Sequence, residues 1–109
     1  MIKLVPNPKF DCPVKLTVPD QSDPVEITMS FRHMTAAKSA EWFEAGKDKQ
    51  LDEAVGEIVC GWTGVVAEDG SEVAYSQENL RQLLVAYQPA ALEIIRAWQI
   101  GLTESRVKN

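Results

Sequence analysis

The spacing of hydrophobic positions changes near Thr35. Before it, Val14, Leu16 and Val18 alternate with Lys15 and Thr17, and Val25, Ile27, Met29 and Phe31 alternate with Glu26, Thr28 and Ser30. Successive strand side chains point to opposite faces, so a period of two predicts two half-buried strands. Between them, Pro19, Asp20, Gln21, Ser22, Asp23 and Pro24 are residues that favour turns. A hairpin with a six-residue loop follows. An isolated hairpin is marginal in water, so its apolar face needs a second layer.

After Thr35 the period becomes helical. Thr35 is a plausible N-cap for a helix to about Ala45, with Ala36, Ala40 and Phe43 on one stripe and Gly46 as its stop. Asp48 is expected to cap a second helix carrying Leu51, Val55, Ile58, Val59 and Trp62, ended by Gly61 and Gly64. Val65 to Tyr75 suggests a small hairpin or ordered loop around Asp69 and Gly70. Ser76 precedes a clear third helix with Leu80, Leu83, Leu84 and Tyr87 on one side. Pro89 ends that helix and suits the first position of a fourth, whose stripe is Ile94, Ile95, Trp98 and Leu102. Residues 103–109 are polar apart from Val107 and are expected to fray. The predicted fold class is α+β: an N-terminal β-hairpin packed on about four α-helices, with a mostly helical C-terminal two-thirds. Leu80, Leu84, Ile94, Ile95, Val55 and Ile58 are the expected core.

Composition narrows the class. The chain has 109 residues, 45% apolar and 25% charged, which fits one soluble globular domain over 1–109. No apolar run approaches the roughly 20 residues that span a bilayer, so no membrane partner is expected. The first residues lack the apolar stretch of a secretory signal and include Pro6 and Pro8. Cys12, in a proline-bounded entry loop, and Cys60, in a run expected to be buried, are then two free thiols in a reducing cytosol. Net charge is −5, the wrong sign for neutralising phosphates, so no nucleic-acid partner is expected. From 57 to 93, Glu57, Glu68, Asp69, Glu72, Glu78 and Glu93 face one base, Arg81, while Arg96, Arg106 and Lys108 follow. This unevenness suggests a solvated acidic face, or a head-to-tail contact between the acidic stretch and the basic end of another copy.

Catalytic machinery is nearly absent. The single histidine, His33, has no partners at metal-ligand spacing, so no metal and no other cofactor is expected. Ser76 lacks the glycine frame of a nucleophile and reads as a helix cap. Glu41 with Glu44, and Asp48 with Asp52, are better explained as solvated acids than as an acid–base pair. No catalytic residue is assigned. The aromatics carry more information. Trp42 and Phe43 are adjacent on one helix, so one of them should be peripheral; Phe43 fits the Ala36 and Ala40 stripe, which leaves Trp42 outside. Trp42, Trp98, Trp62 and Tyr87 are the candidate partner-binding residues.

Several pieces in order resemble a known family. Ile58, Val59, Cys60, Gly61 and Trp62 are followed by Val65, Val66, Asp69 and Gly70. Then come Tyr75, Ser76, Gln77, Glu78, Asn79 and Leu80, with Leu83, Leu84, Ala86, Tyr87 and Pro89 behind them, and Arg106, Val107, Lys108 and Asn109 at the end. Together with Phe31, Arg32, His33, Met34 and Trp42 upstream, this order is similar to the tail assembly chaperones of long-tailed, siphovirus-type phages, in their short, non-frameshifted form. Ala74 stands where relatives often carry proline, and Ala90 where they often carry glycine; both substitutions are expected in loops.

The resemblance implies a non-catalytic protein of the host bacterial cytoplasm, absent from the mature virion. Its implied partners are the tape measure protein, which it binds and solubilises, the major tail tube protein through a longer frameshift product, and further copies of itself. The rival reading is a small acidic regulatory partner, of antitoxin or anti-repressor type, that neutralises a basic protein. A neighbouring tape measure gene would favour the first; a neighbouring toxin or repressor gene would favour the second.

Overall fold

The computed structural model describes residues 1–104. Two strands, β1 (Lys9–Leu16) and β2 (Val25–Arg32), are followed by helices α1 (Ala36–Gly46) and α2 (Leu51–Ile58). A third strand, β3 (Val59–Thr63), then precedes α3 (Gln77–Ala86) and α4 (Ala90–Thr103). The expected α+β class, with a hairpin and four helices, is what the chain forms. Of the stretch 103–109 expected to fray, Thr103 instead closes α4 and Glu104 caps it, while 105–109, including Arg106, Val107, Lys108 and Asn109, lie outside the described residues.

The hairpin follows the alternation. Cys12 pairs with Met29, Val14 with Ile27 and Leu16 with Val25, and this face carries most of the buried strand residues. On the other face Ser30 Oγ donates to Asp11 Oδ1 at 2.6 Å, and Lys15 stands opposite Glu26. β1 starts earlier than the alternation suggests, so Cys12 is a buried strand residue and not part of a loop. Pro13 is accommodated because β1 lies at the sheet edge, where a missing N–H costs no ladder bond.

The second helix is shorter than its stripe predicted. It ends at Ile58, and Val59–Thr63 pairs antiparallel with β2 to give the order β1-β2-β3. Val59 and Trp62 fit a helical stripe by spacing, but the open edge of β2 offers unpaired backbone groups, and a valine and a tryptophan suit a pleated surface. A bulge between Ser30 and Phe31 leaves Cys60 without a Cα partner, half-buried, with its thiol donating to Ser30 O at 3.3 Å. Gly64 closes the strand at φ +96°, a conformation that a side chain would strain. Gln50, not Asp48, is the N-cap of α2, and it makes no side-chain cap bond.

The other helix starts follow the sequence. Thr35 Oγ1 accepts from Lys38 N at 3.2 Å, and Ser76 Oγ accepts from Asn79 N at 3.0 Å. Pro89 is the N-cap of α4, one position before the place expected for it, and Ala90 is the first helical residue, fully buried instead of lying in a loop. Among the expected core residues, Val55, Ile58, Leu80 and Ile94 are buried, while Leu84 and Ile95 are half-buried against them. α4 passes close over β1. A Cβ on Gly101 would come within 2.6 Å of Phe10 Cε2 and 3.2 Å of Cys12 Sγ, so the glycine permits the approach.

The largest fully buried side chain is Trp98, whose Nε1–H donates to Arg32 O at 2.9 Å. Its ring also receives α1, which has no fully buried residue of its own. Trp42 packs edge-on against Trp98 with centroids 5.0 Å apart, and Phe43 sits 6.1 Å from Trp98. Trp42 Nε1 is buried and has no hydrogen-bond partner among the described residues.

Two comparisons test this packing by urea unfolding. Trp98→Ala should cost about 3–5 kcal/mol. Trp98→Phe should cost about 1–3 kcal/mol, because it removes the donor to Arg32 O, and Trp42→Phe should cost less, because its N–H has no bond to lose. Gly101→Ala should destabilise by about 1–2 kcal/mol through overpacking against Phe10 and Cys12, despite the helix-propensity gain. Gly46→Ala, with nothing within 4 Å of the new Cβ, should instead be neutral or stabilising by up to about 1 kcal/mol.

Candidate functional site

Reactive groups are scattered. Among the described residues no group of three or more His, Cys, Asp and Glu is placed to hold a metal ion. His33 is half-buried beside the start of β1, where its backbone N–H donates to Pro8 O at 2.9 Å. Asp48 is exposed with no role at a helix start, and Asp52 pairs with Arg81 Nε at 3.6 Å. Lys49 meets Glu57 at 2.7 Å. Exposed pairs of this kind contribute little to stability. Among the described residues, no helix is long and apolar enough to cross a membrane.

The apolar surface is more organised. At the α1–α4 junction, Trp42 meets Phe43 edge-to-face with centroids 4.9 Å apart, and both lean on Trp98. The division between the two neighbours is the reverse of that expected from the Ala36 and Ala40 stripe. Trp42 is half-buried and turned toward the core, whereas Phe43 is 38% exposed. The larger ring takes the site over Trp98, even though its N–H is stranded there; burial of the indole face outweighs one unmade bond. Trp98 itself is fully enclosed, so it supports this surface from beneath.

Trp62 serves a different neighbourhood. Its Nε1–H donates to Val73 O at 2.8 Å and its ring stands edge-on to Tyr75, 5.2 Å away. Tyr75 donates its hydroxyl to Val59 O at 3.0 Å, and Gln77 Nε2 reaches both that hydroxyl and Gly56 O. Burial pushes the Tyr75 phenol above its ordinary value, with the nearby Cys60 thiol adding to the shift. These bonds hold the 64–75 segment against β3. The segment itself is the small hairpin expected around Asp69 and Gly70: Val66 bridges Glu72, Val73 N donates to Val65 O, and Gly70 takes φ +86°. The Ser71 hydroxyl and amide hold the Asp69 carboxyl below its ordinary range.

Tyr87 belongs to a groove. It is half-buried at the end of α3 and, with Leu83, faces Leu16, Val25, Ile27, Val65 and Val66 across a cavity of about 270 Å³. Thus Trp42 and Trp98 come together, Trp62 lies at β3, and Tyr87 lines a separate opening. Sequence reasoning missed Phe43 and the groove. The available signal for the groove was the adjacent pair Val65 and Val66 in a tight loop, since both side chains of such a pair rarely find the core.

Neither the curated proteins nor the solved structures compared with the chain gave a match. The chain belongs to the family of phage tail assembly chaperones, whose family model matches residues 1–109.

Proposed function

We propose that this chaperone binds the tape measure protein, keeps it soluble, and associates with further copies of itself while tube subunits are recruited. Its action is non-catalytic, takes place in the host bacterial cytoplasm, and leaves nothing of the chain in the mature virion. The major tail tube protein is reached through a longer frameshift product. Family membership over the whole chain supports a role in tail assembly. The observation that carries the client-binding part is the α1–α4 aromatic cluster. A helix that buries no residue completely is fastened by Trp42 and Phe43, and part of Phe43 remains open to solvent.

An apolar helical stripe of a client suits such a surface, because a partner helix can lie along α1 and cover the exposed ring. Trp42 then acts as the anchor beneath, and Trp98 fixes the position of Trp42. Trp62 and Tyr87 contribute by holding the β3 loop and the groove, away from this contact.

Co-expression with the tape measure protein, together with thermal unfolding of the chaperone alone, tests the assignment. Phe43→Ala should cost only about 1 kcal/mol of stability, given its exposure, yet weaken client binding by about 2 kcal/mol or more. Trp42→Ala should reduce both. A client that stays soluble with both variants would move the site elsewhere, and a wild-type chain that leaves the client insoluble would remove the function.

A further inference from the structure

The two ends of β1 differ in chemistry. Before Lys9 the chain extends as an arm in which Met1, Ile2, Leu4 and Val5 are each at least 76% exposed. Pro6 and Pro8 lack the N–H groups that a strand or helix would use. The arm and the first residues of β1 carry Lys3 and Lys9 and no acid before Asp11. At the far end of β1 lies the groove lined by Leu16, Ile27, Val66, Leu83 and Tyr87, with Val66 58% exposed at its rim. The two loops that border it, 17–24 and 64–75, hold Asp20, Asp23, Glu68, Asp69 and Glu72 and no Lys or Arg. An apolar arm that carries Lys3 and no acid, and an apolar groove whose bordering loops carry acids and no base, are complementary in both respects.

We infer that the arm of one copy docks in this groove on a second copy. The arm does not fill the groove of its own chain. β1 has eight residues and spans about 26 Å, and eight residues of arm extend to at most about 29 Å. After a complete reversal only the tip would reach, leaving Leu4 and Val5 uncovered. In a second copy this limit of reach does not apply, so Leu4 and Val5 can also meet the groove. The contact rests on the self-association proposed above and specifies its form. Arm and groove are different surfaces, so each docking leaves one free arm and one free groove, and copies add head to tail. The sheet edges do not offer an equal alternative: β1 carries Pro13 at one edge, and the other edge is the five-residue, bulged β3.

The test uses the full chain and two surface variants, Leu4→Asp in the arm and Val66→Asp at the groove. Both positions are exposed, and thermal unfolding should match wild type. In sedimentation, wild type should show a mass that rises with protein concentration and falls with salt. Each variant alone should remain monomeric. Their equimolar mixture should form dimers that grow no further, because one intact arm meets one intact groove. A labelled peptide of residues 1–8 should bind the Leu4→Asp chain at least tenfold more tightly than the Val66→Asp chain. Assembly of either variant like wild type, a monomeric mixture, or equal peptide binding would overturn the contact. So would a Val66→Asp chain that loses only client solubilisation, since the groove would then seat the client. Client solubility measured alongside separates the two proposals, because docking can fail while the wild-type chain still holds its client.

Discussion

The indole of Trp98 is the point at which the parts of this fold meet. Its N–H is fixed on the carbonyl of Arg32, the last residue of β2, and its ring is the surface on which α1 rests. α4 is thereby held at a set height over the sheet, and Gly101, one turn on, allows the helix to come within contact of Phe10 and Cys12. A smaller ring at 98 would leave α1 without a seat. A side chain at 101 would lift the same helix that presents the seat. Position and clearance are therefore set together by two residues three apart on α4.

Much of this architecture is legible in the sequence, for reasons that can be named. The strands of the hairpin are half-buried, so their alternation survives in plain form. Ser76 and Thr35 announce their helices because a side-chain oxygen before an apolar stripe has one main use, and both make the cap bond. β3 is illegible because Ile58, Val59 and Trp62 satisfy a helical stripe and a buried strand equally well. The vacancy that decides between them is an unpaired edge of β2, some thirty residues earlier in the chain. The exchange of Trp42 and Phe43 is hidden for a related reason. Stripe spacing identifies a helix face but not the size of the hollow it meets, and the hollow here is shaped by Trp98. The groove around Tyr87 depends on three segments whose juxtaposition no local pattern encodes.

The structure also separates what is firmly held from what is lightly held. The sheet, α2, α4 and Leu80 of α3 share one continuous core. α1 is fastened through two aromatic rings, and the first residues of the chain leave their apolar side chains in water. In a monomer both arrangements are costly: Trp42 keeps an indole N–H without a partner, and the arm exposes side chains that water disfavours. Elements that fit poorly against their own body are the ones with most to gain from a partner, and both proposals place a partner on one of them.

Charge gives this division a direction. The hairpin loop and the 64–75 segment, which border the groove at one end of β1, carry acids and no base, and the arm at the other end carries Lys3 and no acid. A polar unit with apolar surface at both ends favours alignment in series over face-to-face pairing, because pairing like ends would bring acids together. The proposed client surface on α1 and α4 lies toward the arm end, where Trp98 meets Arg32, the partner of Lys9, and leaves the groove end free. Copies in series would therefore repeat the same aromatic patch at regular intervals. A repeated patch of modest strength would hold the proposed client at several points through its effective concentration, without any single contact having to be strong.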